Sequence, residues 1–155
     1  MLVVGVVLIL SIKGLKKGWR NITGWMLIEF LFLIFCSTVF FRHDNEIRTH
    51  RFSPFWSYIN CYKGDGFHLD PEIGLNILVF IPVGLLLGLS FKSFNWMKVM
   101  LMGATISVSI EFVQFIFKRG LCEFDDVFNN TIGGMIGYGI YWLIEKTISM
   151  AYTKN

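Results

Sequence analysis

Carboxylate and amide side chains stand inside apolar stretches of this chain, where a polar group requires a partner. Glu111 and Gln114 lie three positions apart in one apolar run, so they share a face of a predicted helix. A carboxylate at such a place can serve as a general base, and a buried amide can bind a polar ligand. The polar side chains that follow are Arg119, Asp125, Asp126, Asn129 and Asn130.

Two interpretations of these residues remain open. In the structural one, the costly carboxylate of Glu111 pairs with Arg119 or with Arg42. Asp125 and Asp126 would then cap the N-terminus of the next helix and suit its dipole. In the functional one, the cluster binds a ligand or takes part in a reaction. The number of amides exceeds what caps require and favours a bound polar ligand; the amides are Asn76, Gln114, Asn129 and Asn130.

The composition indicates that a membrane positions these side chains. The chain has 155 residues, of which 54% are hydrophobic and only 16% are charged, with a mean hydropathy of +0.58. Soluble domains contain about 25% charged residues, and a fold of this size could not bury so much apolar surface. The net charge of +3 is small, and no basic block accompanies an aromatic platform, so nucleic acid is not expected as a partner.

The apolar runs predict the number of helices. They cover residues 1–12, 22–41, 75–91, 97–117 and 127–150. The last four are close to the roughly 20 residues that cross a bilayer core. We therefore predict an all-α membrane protein, a bundle of four full transmembrane helices plus a short N-terminal hydrophobic segment. Residues 1–155 are expected to form a single transmembrane domain with its core at 22–148, and residues 1–12 either end a span or form a short tilted helix.

The basic residues predict the orientation of the bundle. The link between the first two runs carries Lys13, Lys16, Lys17 and Arg20. Lys92 and Lys98 mark the link between the third and fourth apolar runs, which falls on the same side. This side and the C-terminus are expected in the cytoplasm. The loops 42–74 and 118–126 then lie outside, together with the polar cluster.

Small residues predict close packing of the helices below that cluster. Gly84 and Gly88, and likewise Gly133 and Gly137, are spaced as in GxxxG motifs, which let helix backbones approach closely in lipid. Asp126 and Asn130 lie on the same helix face as Gly133 and Gly137, nearer the outer end. Asn76 lies in the same way on the face of Gly84 and Gly88. Pro82 is expected to kink the helix of the third apolar run. The pattern indicates a tight bundle with an outward-opening polar notch.

The remaining reactive side chains give weaker signals. His68 and Asp70 lack further ligands at metal spacing, so a solvated loop is favoured and neither a metal nor a cofactor is expected. Cys61 and Cys122 fall in the two outer loops, and spacing alone leaves a disulfide between them open. Glu29 lies about two turns into the second run, where we favour snorkelling or a hydrogen bond to a neighbouring helix.

Three segments resemble the VanZ-like family, named for an accessory protein of teicoplanin resistance. They are NILVFIPVGLLLGL, IEFVQFIFKRG and FDDVFNNTIGGMIGY. The residues that match the family pattern are Asn76, Phe80, Pro82, Gly84, Glu111, Gln114, Arg119, Asp126, Asn129 or Asn130, Gly133 and Gly137. TVFFR, which ends in Arg42, and FSPFW are similar to its first-loop elements. The resemblance covers most of residues 22–148 and implies a small bacterial multi-pass protein of the cytoplasmic (inner) membrane.

Three functions are compatible with these signals. The first is an envelope accessory protein whose notch binds an envelope lipid, a glycan precursor or a glycopeptide. Arg42 and Arg119 would hold an anionic part, and Glu111, Gln114 and Asn130 would bind hydroxyls or amides. The second is a hydrolase or transferase acting on an envelope lipid, with Glu111 or Asp126 as general base, although no Ser/His/Asp set, HExxH or phosphate loop is present. The third is a small transporter component in which Glu111 and Glu29 mark a polar path.

Overall fold

A computed structural model describes residues 16–41, 49–51, 53–62, 70–119 and 121–153. The elements are α1 (Lys16–Phe35), a π-helical turn (Cys36–Phe40), β1 (Thr49–Arg51), α2 (Trp56–Asn60), α3 (Pro71–Ser90), α4 (Trp96–Phe117), β2 (Leu121–Glu123) and α5 (Phe124–Thr153). The N-terminal segment 1–12, Arg42 and His68 lie outside the described residues. The chain is a helical bundle built from α1, α3, α4 and α5.

Three helices in the described parts of the chain are long and apolar enough to cross a membrane. They are Gly18–Phe40, Pro71–Ser90 and Trp96–Phe117. The predicted helical membrane class is therefore confirmed. α5 is a single helix of 30 residues but is not one of the three, since carboxylates, asparagines and glycines lower the hydropathy of its first half. The fourth span remains a prediction.

Side-chain caps and a left-handed residue set the ends of α3 and α4. The carboxylate of Asp70 accepts a hydrogen bond from the backbone N–H of Glu72 at 3.0 Å, and Pro71 occupies the first turn of α3. Asn95 caps α4 in the same way. α4 ends at Lys118, whose φ of 57° is left-handed, and the next N–H, that of Arg119, bonds the carbonyl of Gln114 at 2.8 Å. This end leaves Gln114 in the last turn of α4.

Backbone contacts between glycines hold α3 against α5. A Cβ added to Gly84 would lie 1.8 Å from the carbonyl oxygen of Gly134, and one added to Gly137 would lie 1.9 Å from that of Ile81. A Cβ added to Gly133 would clash with the carbonyl oxygen of Ile77 on α3, and one added to Gly88 would clash with the ring of Tyr141. The two helices thus approach backbone against backbone at Gly84, Gly133 and Gly137, and at Gly88 the ring of Tyr141 packs on the backbone of α3. α3 continues as one helix through Pro82.

A two-stranded parallel sheet, which the prediction of an all-α fold missed, ties the segment before α2 to the segment before α5. β1 pairs with β2 in the register Thr49–Leu121, His50–Cys122 and Arg51–Glu123. Three-residue strands are too short to leave an alternating pattern in the sequence. Arg51 Nη1 lies 3.2 Å from Glu123 Oε1, and the Arg51 guanidinium lies 4.9 Å from the centroid of the Trp56 ring. We call this end of the bundle the strand end.

The apolar core lies between the four long helices. Phe80, Val83, Leu87 and Val99 are almost completely buried there. At the end opposite to the strands, Arg20 Nε donates to the Ser90 carbonyl at 3.2 Å, which joins α1 to the end of α3. The apolar core therefore fills the bundle away from the strand end, whereas polar side chains lie between the helices at the strand end.

Candidate ligand-binding site

A cavity of about 350 Å³ lies at the strand end, between α1, α3, α4 and α5. This size is within the range of small-molecule sites. Its polar lining comes from Ser37, Thr38, Glu72, Asn76, Glu111, Gln114, Asp126 and Asn130, and its apolar lining from Ile34, Phe41, Leu75, Val79, Phe80 and Ile110. Five of the nine predicted cluster residues line it: Asn76, Glu111, Gln114, Asp126 and Asn130.

Gln114 presents an unused acceptor in this cavity. Its side chain is only 2% exposed, and Nε2 donates to the carbonyl of Thr38 at 3.0 Å. Its Oε1 has no hydrogen-bond partner among the described residues. If the amide of Gln114 were flipped, Oε1 would face the Thr38 carbonyl, and two acceptors cannot form a hydrogen bond. The bond to Thr38 therefore identifies Nε2 as the donor and Oε1 as the atom without a partner among the described residues. A buried acceptor without a partner costs about 1–3 kcal/mol.

The π-helical turn at the end of α1 makes the bond to Thr38 available. The hydroxyl groups of Ser37 and Thr38 both donate to the carbonyl of Ile34, at 2.9 and 2.8 Å. The carbonyl of Thr38 lies at the C-terminal end of this helix, where carbonyls commonly lack an intrahelical partner. The side-chain amide of Gln114 donates to it at 3.0 Å. π-turns of this kind are frequent at functional sites.

Two hydrogen bonds between side chains join the other polar walls of the cavity. Asn76 Nδ2 donates to Asp126 Oδ1 at 2.6 Å, which links α3 to α5. Asn130 Nδ2 donates to Ser107 Oγ at 2.8 Å, which links α5 to α4. Both bonds run between helices rather than to a helix N-terminus. Asp126 thus contributes to the cavity wall, although it also lies in the first turn of α5.

Glu111 binds to the strand that follows its own helix. Its Oε2 accepts the backbone N–H of Glu123 at 3.1 Å, and its side chain is buried. Burial raises the pKa of the neighbouring Cys122 thiol to about 11, and the charge of Glu111 and a hydrogen bond to its carboxylate add to the rise. Burial also raises the pKa of Glu123, against the lowering effect of Arg51. Glu111 is therefore both a wall of the cavity and an anchor of β2.

Asp125 and Asn129 have a structural role on the neighbouring face of α5. Asp125 accepts the backbone N–H groups of Phe55 at 2.6 Å and Ser57 at 2.8 Å. Asn129 accepts the hydroxyl of Tyr58, whose pKa is raised by burial and by the charge of Asp125. Neither residue lines the cavity. They hold α2, whose N-cap Phe55 has a left-handed φ of 59°, against the start of α5.

Arg119 lies near the cavity without lining it. Its Nη1 donates to the carbonyl of Phe40 at 3.3 Å, which ties the end of α4 to the π-helical turn. The described residues that line the cavity include no arginine or lysine. The expected role of Arg42 and Arg119 in holding an anionic group therefore stays a prediction.

The cysteines and Glu29 complete the predicted features. Cys61 and Cys122 are free thiols, and Cys61 Sγ donates to the Ser57 carbonyl at 3.2 Å. Within the described parts of the chain, no group of three or more His, Cys, Asp and Glu side chains could hold a metal ion. Glu29 is exposed on the outside of α1 and does not line the cavity with Glu111.

The sequence analysis missed Ser37, Thr38 and Glu72 of the polar lining, and also Ser107 and Cys122, which contact lining residues. Ser107 carried a usable signal, because it lies four residues before Glu111 and seven before Gln114 and so belongs to the same helix face. Thr38 contributes a backbone carbonyl, which no side-chain pattern reveals. Cys122 reaches Glu111 only because β2 turns back toward α4. The contributions of Thr38 and Cys122 depend on tertiary structure alone.

The chain matches the family model described as VanZ/LLP1 over residues 3–145. It is 38% identical over 71 residues to a protein of Enterococcus faecium named Protein VanZ. That match covers 46% of this chain and 44% of the relative, so it spans less than half of either. No solved structure matches the chain.

Proposed function

Because the chain belongs to the VanZ/LLP1 family, we propose that it is an envelope accessory protein of the bacterial cytoplasmic membrane. In this proposal the cavity at the strand end opens outward and binds a polar group of an envelope lipid, a glycan precursor or a glycopeptide. The C-terminus lies in the cytoplasm. The single observation that carries the proposal is the buried, unused Oε1 of Gln114 inside a cavity of about 350 Å³.

The energetic argument starts from that acceptor. Oε1 of Gln114 has lost its water and has gained no partner among the described residues, so a ligand that donates an N–H or O–H would remove the penalty. Ser37, on the cavity wall, has its hydroxyl hydrogen committed to the Ile34 carbonyl, but its oxygen can still accept. The site is thus rich in acceptors and supports recognition of donor groups.

The charge distribution supports the proposed orientation. Arg20 lies at the end of the bundle opposite to the strands, and Lys92 and Lys98 lie in and after the link between α3 and α4 at the same end. Basic residues of short loops favour the cytoplasmic side. In a background in which the native cysteines are replaced by serine, exposed Ser53→Cys should react with an impermeant maleimide in intact cells. Exposed Ser93→Cys should react only after permeabilisation, and the reverse pattern would overturn the orientation.

The functional test uses Gln114→Met, which keeps the volume and removes both the Oε1 acceptor and the Nε2 donor to the Thr38 carbonyl. Ser109→Ala is the matched control, since Ser109 is exposed on the same helix and its hydroxyl donates to the Thr105 carbonyl of that helix. The chain is produced in a susceptible bacterium, and glycopeptide susceptibility and glycopeptide binding to the cells are measured. The wild type and Ser109→Ala should shift both, and Gln114→Met should not. Equal effects of both variants at equal membrane levels would refute the proposal.

A further inference from the structure

We propose that the occupant of the cavity is the headgroup of a membrane lipid that carries an N–H or O–H donor and enters sideways, between α1 and α3. This inference rests on the proposed function and narrows it from envelope ligands in general to an amphiphile of the surrounding leaflet. It follows from the rim of the cavity, from the distribution of polarity inside it, and from the chemistry of Gln114.

Three of the five exposed residues that line the cavity, which form its rim, are apolar, and the other two are Ser37 and Glu72. Phe41, Leu75 and Val79 line the cavity and are nevertheless 84%, 58% and 38% exposed. Leu75 and Val79 belong to a helix that is long and apolar enough to cross a membrane, and Phe41 directly follows another. Their exposed surfaces therefore face lipid, and a molecule in the leaflet can reach the cavity without crossing water.

Polarity changes with depth in the cavity. The side chains of Glu111, Gln114 and Asn130 in its lining are buried, whereas the exposed lining on α3 consists of Leu75 and Val79 and, in the first turn of the helix, Glu72. A ligand that fits this arrangement has a polar head at Gln114 and an apolar chain that leaves between the rim residues. A water-soluble ligand would place its polar outer parts against this rim and against lipid. The arrangement therefore favours an amphiphile.

The unused atom of Gln114 selects among lipid headgroups. Oε1 is an acceptor only, so the headgroup has to bring a donor. The ammonium of phosphatidylethanolamine and the hydroxyls of phosphatidylglycerol supply one. The quaternary ammonium of phosphatidylcholine has no N–H or O–H and supplies none. These three lipids therefore form a matched series for a test.

The test uses the purified full chain in vesicles that contain phosphatidylethanolamine, phosphatidylglycerol or phosphatidylcholine with a photoactivatable diazirine near the head of one acyl chain. Labelled peptides are quantified by mass spectrometry. The first two probes should label the segments around Leu75, Val79 and Ile110 about tenfold more than the choline probe does, as expected for one hydrogen bond to a buried acceptor. Gln114→Met should reduce the labelling by the first two probes to the level of the choline probe.

A second pair of variants tests the sideways entry. Leu75→Trp adds bulk at the rim and should abolish the preferential labelling. Leu78→Trp is its control, because Leu78 is 62% exposed on the same helix but does not line the cavity. Thermal unfolding in detergent monitors folding, so a lost label in a folded Leu75→Trp protein reports a blocked opening. Unchanged labelling in that variant would overturn the sideways entry.

The outcomes separate this inference from the proposed function. Equal labelling by the three probes, unaffected by Gln114→Met, would overturn the lipid inference. If Gln114→Met at the same time abolished the glycopeptide effect in cells, the proposed function would stand with a ligand that is not a lipid. Headgroup-selective labelling that depends on Gln114 would support the lipid inference, and a cell effect that persisted in Gln114→Met would then overturn only the glycopeptide form of the proposed function.

Discussion

Gly84→Ala is the sharpest single test of the packing that builds the cavity. The added Cβ would lie 1.8 Å from the Gly134 carbonyl oxygen, and ordinary contact distances for such atoms are above about 3 Å. No rotamer change relieves the clash, because both contacting groups are backbone. α3 and α5 would have to separate by more than 1 Å, so we expect a loss of about 3 kcal/mol, the upper end of the usual range for overpacking.

The measurement compares Gly84→Ala with Gly74→Ala in chemical unfolding of the protein in bicelles. Gly74 lies on the same helix, and no described atom would come within 4 Å of its added Cβ. An alanine in an open helical position should stabilise the protein by about 0.5–1 kcal/mol. The two variants should therefore differ by about 4 kcal/mol in opposite directions from wild type. Equal stabilities would refute the conclusion that backbone contact at Gly84 holds the two helices together.

Three further predictions concern the groups around the cavity. The rate of alkylation of Cys122 should keep rising from pH 9 to pH 11, because the reactive thiolate forms only as the pH approaches the thiol pKa of about 11. Glu111→Gln should move this rise to lower pH. A plateau of the rate near pH 9 in the wild type would contradict the raised pKa. Because the pKa of this thiol in the folded protein lies above its ordinary value of 9.0, its contribution to stability is complete below pH 9 and is lost as the pH rises through 11. Asp125→Ala should cost about 3 kcal/mol and accelerate amide hydrogen exchange in residues 55–60, because two backbone donors lose their acceptor; unchanged exchange would refute its role in holding α2. Glu29→Leu should raise thermal stability in lipid, by about 2 kcal/mol, because an exposed carboxylate at the middle of a span is costly; a loss of stability would show that Glu29 has a partner in the membrane.

The sequence predicted the polar face of α4 because a single helix fixes it. The spacing of Glu111 and Gln114 places both on one side of α4 wherever that helix lies in the bundle. The spacing of Asp125 and Asn129, and of Asp126 and Asn130, likewise defines two adjacent stripes on α5. It does not tell which stripe faces the cavity, because the rotation of α5 about its axis is set by its glycine contacts with α3.

Other parts of the site depend on contacts between distant segments. The β1–β2 pair joins residues 72 positions apart through three-residue strands, and such short strands leave no periodic signal. The acceptor for Gln114 Nε2 is a backbone carbonyl at a π-helical turn, so its role comes from the way α1 ends. The expected interaction of Glu111 with an arginine followed from charge alone, whereas the backbone N–H of Glu123 supplies one of its hydrogen bonds.

The glycine contacts between α3 and α5 also determine which wall of the cavity can adapt. Backbone atoms that touch directly leave no side chain to repack, so the distance between Asn76 and Asp126 is fixed by the main chains of two helices. Thr38 and Phe41, by contrast, stand on the continuation of α1, which packs through ordinary side chains. A relative that accommodates a larger or smaller occupant should therefore carry its substitutions along α1. Among relatives, the sequence around the cavity should therefore vary little on α3 and α5 and more on α1.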